Sequence, residues 1–140
     1  MQRQHISALT SFRFFFAVLM LCCTGALGLE KEKVVPEPLS AETIAVAQAT
    51  IRKALGDPDS AKFGEIIGGR NSKGLLFVCG WVNAKDRFGG YTGMLPFNGV
   101  VLERRAGSPS RKPVEFVPTG LGDSDNERVL MSCKDKGLFR

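Results

Sequence analysis

The chain has one histidine, one tryptophan and one tyrosine in 140 residues. It also has no apolar run of the roughly twenty residues that a membrane-spanning helix needs. The histidine, His5, falls in a segment with the layout of a secretory leader. Arg3, His5 and Arg13 precede the apolar run FFFAVLMLCC, and the following TGALG carries a small-x-small site at Ala26 and Gly28. Cleavage after Gly28 is expected, so residues 1–28 read as a signal peptide. A retained anchor is the alternative, disfavoured by the short run and by Glu30, Lys31, Glu32 and Lys33 directly after it. A lipoprotein site would need small residues before Cys22 or Cys23, where Leu19, Met20 and Leu21 stand.

Without His5, the remainder has no histidine base, no Ser–His or Cys–His nucleophile pair and no imidazole ligand. No P-loop or dinucleotide glycine fingerprint occurs. Asp123, Asp125 and Glu127 alternate as in part of a calcium loop, but Gly122 precedes them and no twelfth-position glutamate follows. No metal and no cofactor are therefore expected. Acid–base chemistry would fall to carboxylates, with Glu65, Asp86 and Glu103 as candidates in no specific spacing.

Charge excludes a further class. Arg3 and Arg13 leave with the leader, so 19 basic residues become 17 against 14 acidic ones, and the net charge falls from +5 to +3. Nothing gathers this charge into the basic face of a nucleic-acid binder. Arg104, Arg105, Arg111 and Lys112 form one local basic patch, read as a solvated face or as a contact to an anionic surface or acidic protein.

Of four cysteines, Cys22 and Cys23 belong to the leader and Cys79 and Cys133 remain. In an exported chain such a pair is expected to form a disulfide, the alternative being two buried thiols. The loop it closes, about 55 residues, would stabilise the fold by about 4 kcal/mol through chain entropy.

Residues 29–39, with Pro36 and Pro38, read as a flexible lead-in to a single domain at 40–140. Residues 40–55 read as a helix. Ser40 is the N-cap, Glu42 lies in the first turn, and Ile44, Ala47, Ile51 and Leu55 form an apolar stripe. Strands are expected at 63–67, 75–82, 94–103, 114–117 and 129–133. The segment LLFVCGWV is apolar on both faces, which predicts a central strand covered on both sides. Pro96 points to an edge position or a bulge. Residues 134–140 read as a frayed tail in which Leu138 and Phe139 can pack. The fold class is α+β: one N-terminal helix on an antiparallel meander of four to five strands, with one disulfide.

The densest glycine cluster lies in residues 83–93, NAKDRFGGYTG. Successive glycines can turn backbone amides into a concavity that suits anions. With Lys85 and Arg87 beside it and Tyr91 available to stack, Asn83, Lys85, Arg87, Tyr91 and Thr92 are the candidate binding residues. The competing reading is structural: the glycines shape a bulged turn, Phe88 and Tyr91 pack on the sheet edge, and the charges are solvated.

Two segments, LGDPDSAKF and CGWVNAKDRFGGYTGMLPF, resemble a group of small exported bacterial proteins, mostly uncharacterised, that carry a DPxSAxF turn and a CGxVNxKxxxGGYxG run. The resemblance covers residues 55–97. It implies a bacterial envelope setting and a shared fold, and it brings no activity.

The expectation is a periplasmic or secreted non-enzymatic binding domain. Its partner would be an envelope protein or anionic envelope surface, met through the glycine-rich loop, with no nucleic acid and no membrane span after cleavage. The alternatives are a carboxylate-dependent hydrolase of an envelope polymer, or a purely structural module.

Overall fold

The structure, a computed structural model, describes residues 32–103, 114–122 and 125–140. The leader, the basic patch from Arg104 to Lys112 and Asp123 lie outside them. The elements run β1 (Val34–Glu37), α1 (Ala41–Ala54), a 3-10 turn (Pro58–Ser60), β2 (Lys62–Asn71), β3 (Leu76–Asn83), β4 (Leu95–Glu103), β5 (Val114–Leu121) and α2 (Asn126–Asp135). The five strands form one antiparallel sheet in chain order.

β3 takes the central position, as its two apolar faces require. Leu76, Val78 and Val82 face one core with Ala47 and Ile51 of α1 and with Phe97, Val101 and Phe116. Cys79 faces the other with Val129 and Cys133 of α2 and with Leu138. The sheet is thus covered by one helix on each face. Gly80 lets the first core close: a Cβ there would stand 2.5 Å from Cζ of Phe97, its cross-strand neighbour. The Phe97 ring in turn meets Phe63 and Phe116 edge-on, at 6.1 and 6.3 Å.

α1 begins where expected. The Ser40 hydroxyl accepts from the Thr43 amide at 3.1 Å, and Thr43, Ala47 and Ile51 form the buried stripe. Pro36 lies in β1 and Pro118 in β5, the two edge strands, where a missing N–H leaves the sheet's other ladders intact.

Four expectations are corrected. The helix is not the first element, because residues 34–37 of the supposed flexible lead-in pair with β2 as an edge strand; extended backbone at Pro36 suits an edge as well as it suits a linker. β4 is an inner strand despite Pro96. Its pairing with β5 stops at Phe97, so Pro96 lies beyond that ladder, and where the register shifts opposite Asn98 and Gly99 the extra residue is Thr119 of β5.

Residues 129–133 are helical, not a strand. The apolar run VLMSC is too short to separate the two periods, and what decides is burial of Val129 and Cys133, four apart on the sheet-facing side. The tail is ordered rather than frayed. Gly137, at φ +69°, closes α2: its amide bonds the Lys134 carbonyl at 2.9 Å, and the Leu138 amide bonds that of Cys133 at 3.0 Å. Leu138 is buried, and Phe139 stacks on Trp81 with ring centroids 4.9 Å apart.

The expected disulfide is present. Cys79 and Cys133 are bonded across 54 positions with Cα atoms 6.1 Å apart, and the bond ties the middle of the sheet to α2. Among the described residues no helix is long and apolar enough to cross a membrane.

Candidate functional site

The glycine-rich loop joins β3 to β4 as a hairpin closed by its own carboxylate. Asp86 Oδ1 accepts from the amides of Phe88 at 2.8 Å and Gly90 at 3.1 Å. The Asp86 amide donates to the Gly90 carbonyl at 2.9 Å, and the Gly89 amide donates back to the Asp86 carbonyl at 3.1 Å. Asp at the first and Gly at the fourth turn position is a turn signature, and Gly89 at φ +85° supplies the left-handed conformation. Two of the loop amides that could have met an external anion are therefore already satisfied by Asp86.

The base of the loop is fastened separately. Asn83 Oδ1 accepts from the Gly93 amide at 3.1 Å. Thr92 donates its amide to the Ala84 carbonyl at 3.1 Å and its hydroxyl to the Gly93 carbonyl at 3.1 Å. The Lys85 amide donates to the Ser60 hydroxyl at 2.8 Å, and that hydroxyl donates to the Asp57 carbonyl at 2.8 Å. The DPDS turn and the glycine loop, two separate sequence motifs, meet at this bond.

Of the five expected binding residues, Asn83 and Thr92 have side chains engaged in holding the hairpin. Lys85 and Tyr91 pair across it through an isolated bridge, and Arg87 is exposed. Tyr91 is flanked by two cations: the Lys62 ammonium lies 4.6 Å and the Lys85 ammonium 5.7 Å from its ring centre.

The structure gives Phe88 and Asp86 roles other than the expected ones and adds Lys62, which the sequence reading lacks. Phe88 does not pack on the sheet edge; it is 89% exposed at the tip. Lys62 arrives from the start of β2, opposite Asn83 in register, and a hairpin alignment could have found it. Asp86 builds the turn that its spacing to Gly89 signals, and is not one of a pair of acid–base groups.

The candidate carboxylates do not form a pair. Asp86 is bound within its loop. Glu103, at the opposite end of the sheet, is held by Arg70, whose Nη2 lies 2.9 Å from Glu103 and 2.9 Å from Glu37. The hydrogen bond from Arg70 lowers the Glu103 carboxyl below its ordinary range, and the same contacts, Glu103 first and then Glu37, raise the guanidinium. Glu65 lines a cleft of about 790 Å³ with Leu39, Ile66, Trp81 and Phe139, and none of residues 83–93 lines that cleft. Consecutive β2 residues border it because β1 stops pairing at Gly68, so the cleft runs along the uncovered edge of β2. No group of metal-ligating side chains occurs among the described residues. No family model, curated protein or solved structure matches the chain.

Proposed function

We propose that this chain is an exported, non-enzymatic binding domain that engages an envelope protein or an anionic envelope component through residues 83–93. The observation that carries the reading is the Asp86 turn, whose hydrogen bonds to the Phe88 and Gly90 amides set the backbone of a tip on which Arg87 and Phe88 are exposed. Export is supported by the leader pattern and by a disulfide, which persists in oxidising compartments.

The test is retention of membrane and soluble envelope fractions on the immobilised exported product. A folded variant carrying Lys85→Ala, Arg87→Ala and Tyr91→Ala serves as the comparison. Loss of retained partners is expected; full retention by the variant overturns the loop assignment. The hydrolase alternative would rest on Glu65, the candidate carboxylate in the cleft. The other side-chain carboxylate there, Glu37, is held by Arg70.

A further inference from the structure

We propose that the hairpin tip docks onto an anionic lipid bilayer, with Phe88 entering the boundary between headgroups and acyl chains and Lys62, Lys85 and Arg87 meeting lipid phosphates. This rests on the reading that residues 83–93 are the contact surface, and it names the partner. Phe88 is the only phenylalanine among the described residues that is exposed; Phe63, Phe77, Phe97, Phe116 and Phe139 are buried or half-buried in the cores. A flexible loop would lower its free energy by folding such a ring onto nearby apolar surface. The Asp86 turn fixes the backbone that carries this ring, and the ring stands 89% exposed.

Further apolar surface lies on the same hairpin, with Tyr91 46% and Met94 52% exposed. Tyrosine rings settle at the membrane–water interface, and phenylalanine is a residue of the buried face of interfacial segments. The charges have the matching sign. Lys85 and Arg87 flank Asp86, whose oxygen is turned into the loop, and Lys62 joins them over Tyr91; the adjoining turn adds Asp57, whose Oδ1 is likewise turned inward to the Ser60 amide, and Asp59. Basic residues beside an apolar tip are drawn to anionic headgroups.

A discrete soluble anion fits poorly, because the amides of Phe88 and Gly90 that would cradle it are bound to Asp86. What remains is a convex, apolar-tipped and cation-flanked projection, suited to an extended surface.

The experiment is co-sedimentation of the exported product with vesicles of phosphatidylglycerol and phosphatidylethanolamine, against vesicles of phosphatidylcholine alone. Binding to the anionic vesicles only, released by added salt, is expected. Removing each cation by Lys62→Gln, Lys85→Gln or Arg87→Gln should weaken it about fivefold. Phe88→Ser should weaken it at least as much. Lys62, Arg87 and Phe88 are exposed and Lys85 is half-buried, and an unchanged near-ultraviolet dichroism spectrum confirms that each variant is folded.

Failure to bind either vesicle at low salt, or binding indifferent to Phe88→Ser, overturns the lipid assignment. If envelope fractions still lose a partner with the alanine triple variant, the loop reading stands without it. Should that variant change neither assay, both fall.

Discussion

Asp86 gives the hairpin the negative charge that its amides converge on, a role filled elsewhere by a bound anion. Its removal should loosen the tip without opening the core. Asp86→Ala is expected to cost about 1 kcal/mol, the net worth of a typical hydrogen bond, and to speed exchange of the Phe88 and Gly90 amide hydrogens about fivefold. Asp86→Asn keeps an acceptor oxygen and should restore most of the protection. Hydrogen-exchange NMR reads both. Asn71 works in the same way at the β2–β3 turn: its buried side-chain oxygen accepts from the Lys73 amide at 3.1 Å and the Leu75 amide at 2.8 Å, and its amide nitrogen donates to Glu32. Asn71→Ala leaves those two amides without their acceptor and should cost about 2 kcal/mol in urea unfolding.

At the scale of elements, α1 was readable because every signal agreed: an N-cap, an acidic first turn, a basic last turn and a stripe with period near 3.6. β3 was readable because alternation on two apolar faces has few other meanings. α2 is not legible in the sequence because its apolar content is Val129, Leu130, Met131 and Cys133, a cluster that fits either period, and because a glycine such as Gly137 suits a loose tail as well as a helix stop. The loop was half legible. Its glycines announced a turn, but the sequence could not say that Asp86 would occupy the amide concavity, since that depends on backbone angles. Nor could it say that Phe88 would be denied the sheet. Gly137→Ala tests the α2 assignment. An alanine forced into the left-handed region costs about 1–2 kcal/mol, whereas a glycine in an unstructured tail would cost nothing; thermal unfolding distinguishes the two.

For the whole molecule, two braces act on different sides. Arg70, on β2, reaches Glu37 on β1 and Glu103 on β4, joining three strands at one end of the sheet. Glu103 has a lowered carboxyl pKa in the folded chain, so its contribution is present above the unfolded value of about 4.3. It is lost as pH falls through the lower folded value. Glu103→Gln should therefore lower stability by about 1 kcal/mol at neutral pH, as a partly exposed ion pair does, and the difference from wild type should vanish in strong acid. Urea midpoints measured across the acid range check the convergence.

The second brace is covalent. Reducing the Cys79–Cys133 bond, which closes a span of 54 positions, should remove about 4 kcal/mol by chain entropy, measurable as a lower urea midpoint in the presence of reductant.

Trp81 is the only indole in the chain, and its flat neighbour is the penultimate residue. The molecule thus carries its own dye for the docking of Phe139. Undocking of the segment after α2, whether by reductant or by truncation before Phe139, should shift emission toward the red before α1 melts, so fluorescence set against far-ultraviolet dichroism can time the two events without any label.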